Sequence, residues 1–221
     1  MNVYDALFAD IEGSQKYART IRMLFSRQKT LMDLGCGTGD LLALLSDQYE
    51  VFGIDLDAKK IEHAKKKYPQ YKERFMVGDF LDQSWTHQRY DGVYVVNDTL
   101  NYLLTPEDLE KAIKNMSLVS DELFLDSHHP YRLEEFSETY LEEGRVDGFD
   151  YGFQIEVEGE FLFHTINYFN GHFDMMKQWV FKPSLLIDLL EREGYQVYTW
   201  TDFEVEEIAK EGEKVMYYAK R

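Results

Sequence analysis

Residues 31–40 read LMDLGCGTGD and run from an apolar stretch directly into a pattern typical of a helix. Glycines at a strand-to-helix turn let the backbone bend sharply and come close to a ligand. The helix that follows adds free N–H groups and the positive end of its dipole, which suit a negatively charged group. The stretch therefore predicts a ligand-binding turn after the first strand of an α/β sheet.

Two ligands suit such a turn, a dinucleotide pyrophosphate and the methionine end of S-adenosylmethionine. The pyrophosphate favours the spacing G-x-G-x-x-G, whereas this turn has Gly35, Gly37 and Gly39. Asp40 stands at the third glycine of the dinucleotide pattern, where its charge would repel a pyrophosphate. Asp33, at the end of the strand, can accept from an ammonium group. The spacing favours S-adenosylmethionine, with a nicotinamide dinucleotide as the alternative.

Acidic residues also end the next two predicted strands. Asp55 comes about 20 positions after the first glycine of the turn, where a carboxylate can accept from both ribose hydroxyls. Asp57 is a rival acceptor that is better placed to cap the following helix. Asp79 could accept from an adenine amino group, and Phe80 could offer its main-chain N–H and its ring. A turn acid beside a core aromatic residue is the structural alternative for that pair.

Residues 31–126 alternate short apolar runs with longer amphipathic runs, as repeated βα units of a parallel sheet do. Helical spacing over 14–28 predicts one or two leading helices. Later, alternating aromatic runs and the Asn170-Gly171 pair predict a hairpin in an antiparallel region. The predicted strands are Thr30–Leu34, Val51–Ile54, Arg74–Val77, Tyr90–Val96, Glu122–Asp126, Gln196–Phe203 and Lys214–Ala219. The expected single domain, 1–221, consists of a helical cap (1–29), a Rossmann-like core (30–143 and 183–221) and an antiparallel β insertion (144–182).

The motifs DLGCGTGD, GIDLD and GDF, in this order and spacing, resemble those of the class I S-adenosylmethionine-dependent methyltransferase family. The resemblance covers 1–126 well and the final helix and strands loosely. It implies an α/β fold, namely a Rossmann-like, seven-stranded, mostly parallel sheet with helices on both faces and a last antiparallel strand. It also implies methyl transfer that leaves S-adenosylhomocysteine. The cofactor-binding residues that it implies are Tyr17, Asp33, Gly35, Cys36, Gly37, Gly39, Asp55, Leu56, Asp79, Phe80, Asn97 and Asp98.

Within this resemblance, Asn97 corresponds to the family position that faces the methionine amino group. Asp98 and the residues up to Tyr102 are expected on the acceptor side, and NDTLNYL is similar to small-molecule members. The Asn/Asp-Pro-Pro-Tyr/Phe signature is missing from the fourth strand, which disfavours a nucleic-acid base or a glutamine side chain as acceptor. Tyr4 and Tyr17 resemble N-terminal tyrosines that close over the cofactor.

The methyl donor is already activated, so the enzyme needs a general base only if the methyl acceptor must lose a proton early in the reaction. Candidate catalytic residues are His128 and His129, just past the fifth strand. His164, on a strand of the insertion, is a weaker candidate. Position favours the first two, because clefts of open α/β sheets lie at the carboxyl ends of the strands. A packing role is the alternative for each histidine, and Tyr102 or Tyr168 could orient an acceptor. Adjacent histidines rarely share one ion, so no metal is expected.

Composition narrows the possible partners. Asp and Glu outnumber Lys and Arg by 41 to 24, giving a formal charge of −17 that repels polyanions, so no nucleic acid partner is expected. The sequence has no apolar run long enough to predict a membrane span. The lone Cys36 fits a cytoplasmic protein. We expect a monomer or homodimer with a small-molecule acceptor, and a non-catalytic S-adenosylmethionine sensor is the alternative.

Overall fold

The computed structural model describes residues 11–146, 148–169, 172–203 and 207–221. The strands are β1 Thr30–Leu34, β2 Glu50–Asp55, β3 Phe75–Val77, β4 Gly92–Val95, β5 Glu122–His128, β6 Tyr140–Val146, β7 Phe149–Glu158, β8 Phe161–Asn167, β9 Phe173–Trp179, β10 Gln196–Thr201 and β11 Lys214–Lys220. The helices are α1 Ile11–Leu24, α2 Asp40–Leu45, α3 Ala58–Lys67, α4 Pro106–Val119, α5 Tyr131–Glu135 and α6 Pro183–Arg192, with 3-10 helices at Pro69–Arg74 and Thr99–Tyr102.

A seven-stranded sheet has the order β10-β11-β5-β4-β1-β2-β3. β1 pairs in parallel with β2 and β4, and the parallel pairing continues outward to β3 and β5. β11 lies antiparallel between β5 and β10. The predicted Rossmann-like sheet with a last antiparallel strand is confirmed, and the carboxyl ends of β1, β2, β4 and β5 meet at one edge.

Helices cover both faces of this sheet, because successive strand residues point to opposite sides. On β5, Leu123 and Leu125 belong to a core cluster that includes residues of α4 and α6. Phe124, between them, belongs to the other cluster, with residues of α1, α2 and α3. Both faces of the strand are therefore buried, as a sheet at the centre of three layers requires. Within the described ranges, none of the helices combines the length and the hydropathy needed to cross a membrane.

The second sheet is an antiparallel meander in the order β6-β7-β8-β9. An antiparallel region was predicted for 144–182, but its first strand begins at Tyr140 and its last ends at Trp179. The boundary of the proposed insertion therefore moves to Tyr140, and the division of the chain as a single domain stays a proposal. The Asn170-Gly171 pair and Tyr4 lie outside the described residues.

Candidate active site

The predicted turn joins β1 to α2, and all three of its glycines have positive φ angles. These are 81° at Gly35, 54° at Gly37 and 81° at Gly39, in the left-handed region that L side chains rarely adopt. The Gly35 and Cys36 N–H groups donate to the carbonyl oxygen of Ile54 at 2.8 and 3.0 Å. The turn is therefore fixed to the end of β2.

Space around the turn differs between its glycines. A Cβ at Gly35 would overlap the Thr99 side chain, and one at Gly39 would lie 2.5 Å from the Phe75 ring. A Cβ at Gly37 would have no described atom within 4 Å. The main chain at Gly37 is therefore the part of the turn that a ligand can approach.

Alanine substitutions should separate these two roles. Gly39→Ala combines a left-handed backbone with the overlap at Phe75, so we expect it to lower the free energy of unfolding by about 2–4 kcal/mol. Gly37→Ala should cost only about 1 kcal/mol of stability but place a methyl group where the cofactor approaches. Chemical denaturation and calorimetric titration with S-adenosylhomocysteine would measure both effects. Wild-type affinity in Gly37→Ala would contradict this placement of the cofactor.

Asp55 ends β2 directly beneath the open part of the turn. Its Oδ2 accepts from the Gly37 N–H at 2.8 Å, and its Oδ1 accepts from the Asp57 N–H at 2.8 Å. A carboxylate has about four acceptor positions, so both oxygens can still accept from ribose hydroxyls. Asp57 itself accepts from the N–H groups of Lys59 and Lys60. Asp57 is thus the N-cap of α3, as the sequence indicated.

Exposed apolar side chains at the neighbouring strand ends could hold an adenine ring. Leu56, directly after β2, is 71% exposed, and Val77, the last residue of β3, is 54% exposed. Asp79 accepts from the Leu81 N–H through Oδ1 at 2.8 Å, so its other oxygen can still meet an amino group. An apolar surface next to an acceptor suits a purine base.

Side-chain hydrogen bonds from Trp85 and Asn115 hold the loop at Phe80, and neither residue was predicted from the sequence. The carbonyl oxygen of Phe80 accepts from Trp85 Nε1 at 3.1 Å and from Asn115 Nδ2 at 3.1 Å. Asn115 also donates to the Leu81 carbonyl at 2.8 Å. These contacts fix the loop, and the Phe80 N–H and ring remain the proposed contacts to the base.

Asp33 and Cys36 lie on the inner side of the turn. Asp33 is 3% exposed, and burial raises its pKa to about 8. The neutral acid would ionise when an ammonium group binds beside it. The Cys36 thiol packs close to Gly53, so the contribution proposed for Cys36 comes from its main chain.

Replacing Asp33 with asparagine should stabilise the cofactor-free protein at high pH. Asp33 ionises near pH 4 when unfolded and near pH 8 when folded, so wild-type stability falls as the pH rises through this interval. Asparagine does not titrate, and we expect a gain of at least about 1 kcal/mol at pH 8 that vanishes near pH 4. Urea denaturation at both pH values would measure it. Parallel stability profiles for the two proteins would contradict it.

Asn97 and Asp98 follow β4 with φ angles of 58° and 61°. Their N–H groups donate to Asp126 at the end of β5, to Oδ2 at 2.9 Å and to Oδ1 at 3.0 Å. The Tyr17 hydroxyl donates to the same carboxylate. Tyr17 is 1% exposed, so it supports this loop from inside, and its closure over the cofactor stays a prediction. Asp126 was absent from the predicted site.

Asp98 forms an ion pair with a second residue that the sequence did not reveal. Lys214, at the start of β11, places Nζ 2.5 Å from Asp98 Oδ1 and 3.9 Å from Asp126 Oδ2. Burial opposes ionisation of Asp98, but the charge and hydrogen bond of Lys214, together with the nearby His128 and Arg132, outweigh it and hold the pKa of Asp98 at about 2. The Asp98 side chain, expected at the cofactor, is therefore the counter-ion of Lys214.

His128 lies beside this ion pair. Its Nε2 is 2.9 Å from Gln178 Oε1 on β9, and its Nδ1 is 3.6 Å from Asp98 Oδ1. Since a side-chain amide oxygen only accepts, Nε2 carries the proton and Nδ1 has the lone pair. Burial lowers the pKa of His128, so the ring is neutral near pH 7. His164 of β8 stacks on it with 6.4 Å between ring centroids.

His129, the second predicted catalytic histidine, has both ring nitrogens in local hydrogen bonds. Nδ1 accepts from the Tyr131 N–H at 3.1 Å, and Nε2 lies 3.1 Å from the Ala209 carbonyl oxygen. The residue is 3% exposed. With both ring nitrogens engaged and the ring buried, His129 has the packing role that the sequence left as the alternative to catalysis.

Tyr102 ends the 3-10 helix after β4 and faces the small sheet. Its side chain is 46% exposed, and its hydroxyl is 3.8 Å from Met176 Sδ on β9. Asn101, beside it, is fully buried, donates to the Trp179 carbonyl at 2.7 Å and accepts from the His128 N–H at 3.0 Å. Asn101 therefore joins the two sheets, and Tyr102 lies beside it at the small sheet. The described part of the chain contains no group of three His, Cys, Asp or Glu side chains that could hold a metal ion.

Comparison with known proteins agrees with this geometry. Residues 31–121 match a family described as a methyltransferase domain. The putative methyltransferase YqeM of Bacillus subtilis is 25% identical, over 100% of this chain and 95% of its own length. A crystal structure of an S-adenosylmethionine-dependent methyltransferase from Clostridium acetobutylicum superimposes with a TM-score of 0.83 at 18% identity, covering 99% of this chain and 96% of that one.

A second solved structure, S-adenosylmethionine-bound CalS10, is an amino pentose methyltransferase from Micromonospora echinaspora. Its TM-score is 0.74 at 17% identity, and the match covers 100% of this chain and 98% of that one. The matched family covers the glycine turn, the acid after β2 and the loop after β4, and the sheet around them has the fold of these enzymes. The chain therefore contains a match to a methyltransferase domain over residues 31–121 and has the fold of solved S-adenosylmethionine-dependent methyltransferases.

Proposed function

We propose that this enzyme methylates a small-molecule acceptor bound between the carboxyl edge of the large sheet and the small antiparallel sheet. His128 would accept the proton that the acceptor loses. The observation that supports this most directly is the geometry of His128, whose basic nitrogen Nδ1 lies 3.6 Å from the Asp98 carboxylate. The neutral ring can take up a proton, and the nearby carboxylate would stabilise the imidazolium that forms.

The small sheet supplies the wall opposite the strand ends. His164, Met176 and Gln178 lie on one face of it, as the pairing of β7, β8 and β9 requires. Gln178 contacts His128 and Met176 contacts Tyr102. An acceptor between the two sheets would therefore meet His128 and Tyr102 from the core and His164 and Met176 from the insertion.

Cofactor binding is assigned to the turn and the strand ends beside it. Asp33 would face the ammonium group, the Gly37 main chain the methionine end, and Asp55 the ribose. Leu56, Asp79 and Phe80 would surround the adenine. When bound, S-adenosylmethionine supplies a methyl group that is already activated by its attachment to a positively charged sulfur. The residues of this chain then align the acceptor and exclude water.

Proton transfer to His128 keeps the charges near Asp98 balanced. As the acceptor oxygen or nitrogen forms its bond to the methyl carbon, its proton would pass to Nδ1. The resulting imidazolium would be stabilised by Asp98, which is ionised because its pKa is held at about 2. Gln178 would keep the ring in the required tautomer. An amine or a hydroxyl group that carries a proton fits this arrangement.

Incubation with labelled cofactor tests the proposal. The purified protein would be mixed with a metabolite extract and S-adenosylmethionine carrying a labelled methyl group, and products would be followed by mass spectrometry. We expect a labelled small molecule together with S-adenosylhomocysteine. The Asp55→Ala variant serves as the control, since it should produce neither. Binding of S-adenosylhomocysteine without any labelled product would instead favour a sensor.

The remaining predictions concern assembly and location. A monomer or homodimer stays the prediction for the oligomeric state, which sedimentation velocity would determine. The charge of −17 stays the argument against a nucleic acid partner. A cytoplasmic location likewise stays a prediction.

A further inference from the structure

Asp126 is buried at the end of β5 and has no contact with the glycine turn or with Asp55 among its described hydrogen bonds. It is 0% exposed, and burying a carboxylate is unfavourable unless its oxygens have hydrogen-bond or charge partners. Its partners come from separate elements: Tyr17 on α1, the loop after β4, and Lys214 on β11. So many converging partners on one buried acid suggest a specific role in the site.

The loop that Asp126 holds has an unfavourable backbone conformation. Asn97 and Asp98 are consecutive non-glycine residues with φ angles of 58° and 61°. Left-handed geometry is uncommon for residues other than glycine, although Asn and Asp adopt it more readily than most, and two such residues in succession need surrounding contacts to hold them. The Asp126 carboxylate supplies those contacts, because each of its oxygens accepts one of the two N–H groups at 2.9 and 3.0 Å.

We propose that Asp126 is a positioning residue for the methyl-transfer centre, holding Asn97 and Asp98 in the strained conformation that the bound cofactor requires. The inference rests on the proposed contact of the Asn97 main chain with the methionine amino group, which a glycine at this position would keep. It also accounts for Tyr17, whose hydroxyl is directed to Asp126, and for Lys214, which lies between Asp126 and Asp98. Asp126 itself acts through the loop and need not touch either substrate.

An amide cannot replace this carboxylate. Asparagine has one accepting oxygen and one donating NH₂ group, so in Asp126→Asn a donor would face one of the two N–H groups. The loop should then relax towards a commoner conformation. A glycine at position 97 adopts left-handed angles without strain, so adding Asn97→Gly should restore part of what Asp126→Asn removes.

The pH dependence of cofactor binding gives an independent measure. Burial raises the pKa of Asp126 to about 6, with Lys214 opposing this shift, Asp98 adding to it and the Tyr17 hydrogen bond opposing it. Affinity should already fall below about pH 8, because Asp33 must ionise to meet the ammonium group. Since only the carboxylate form of Asp126 accepts both N–H groups, a second loss of affinity should follow as the pH drops through about 6. In Tyr17→Phe the carboxylate loses a donor, and the midpoint of this loss should move to higher pH. Tyr17 is not among the groups that affect His128, so titration of His128 would not produce this shift.

Asp91 provides a matched control at the opposite end of the sheet. Its Oδ2 also accepts from two consecutive N–H groups, those of Lys29 and Thr30, at 2.8 and 2.9 Å. Because one oxygen accepts both N–H groups here, Asp91→Asn can keep this backbone contact, so it controls for a change from aspartate to asparagine that should leave the site unaffected. Thermal melting of each variant would show that the binding measurements are made on folded protein.

The experiment is calorimetric titration of S-adenosylhomocysteine into wild type, Asp126→Asn, Asn97→Gly/Asp126→Asn, Tyr17→Phe and Asp91→Asn between pH 5 and pH 8. We expect Asp126→Asn to bind about tenfold more weakly or worse, the double variant to recover part of this loss, and Asp91→Asn to match wild type. If Asp126→Asn does not fold, the Tyr17→Phe midpoint decides. Wild-type affinity in Asp126→Asn, no recovery in the double variant, or an unshifted midpoint would overturn the inference. Failure of the wild type to bind would instead refute the cofactor site.

Discussion

Replacing Asp55 with alanine is expected to weaken S-adenosylhomocysteine binding by about 100-fold or more. Hydrogen bonds to a charged acceptor contribute about 1.5–3 kcal/mol each, and two ribose hydroxyls would lose theirs. The variant also frees the Gly37 N–H, which Asp55 Oδ2 accepts from at 2.8 Å, so the turn itself would be less well fixed. Isothermal titration calorimetry measures the change directly.

Asp57→Ala is the matched control for this prediction. Asp57 lies two residues further on and caps α3 through the Lys59 N–H at 2.8 Å. Its loss should lower the free energy of unfolding by about 1 kcal/mol and leave affinity for S-adenosylhomocysteine unchanged. If Asp55→Ala kept wild-type affinity, or if Asp57→Ala lost as much, the assignment of the ribose site would be wrong.

Replacing His128 is expected to have the largest effect on turnover. A positioned general base contributes about 10²–10⁴-fold, so His128→Ala should slow formation of the labelled product by at least about 100-fold. Affinity for S-adenosylhomocysteine should stay at the wild-type value, because His128 lies on the acceptor side. Because the residue is 4% exposed, His128→Gln provides a second variant that fills more of the site.

The pH dependence of wild-type turnover provides a second test of His128, because its direction can be predicted. Burial lowers the pKa of His128, and only the neutral ring can accept a proton, so turnover should fall on acidification below the normal histidine range and not before. His87→Ala is the control, since His87 is an exposed histidine that lies 3.1 Å from the Ser84 carbonyl oxygen. Unchanged turnover in both His128 variants would show that His128 is not a base in this reaction. Alignment of the substrates would then be the main source of the rate enhancement.

Much of the fold could be predicted from short-range patterns. Three glycines between a buried strand and a helix predict the turn, and the three positive φ angles confirm why glycine is needed there. The helix Pro106–Val119 has the predicted bounds because Thr105 caps it and proline begins it. Alternation within residues 149–179 predicts strands, but it does not say which strand comes first, and β6 begins earlier than expected.

The candidate site was less accessible to sequence reasoning because its partners come from distant parts of the chain. Asp126 and Lys214 meet only because β11 pairs with β5 in a register that places Lys214 opposite His128. No short motif encodes this. One signal was available for the histidines, since adjacent residues at a strand end point in opposite directions. That alternation already disfavours a shared role for His128 and His129.

The antiparallel position of β11 has a consequence for how the molecule assembles. β10 precedes β11 in the chain, yet in the sheet it is separated from β5 by β11, so β10 joins the large sheet only through β11. The pairing of β11 with β5 delivers the Lys214 ammonium group to Asp98 and Asp126. Completion of the sheet and charge neutralisation at the reaction centre are therefore one event during folding, and a nascent chain would become competent for catalysis only after that event.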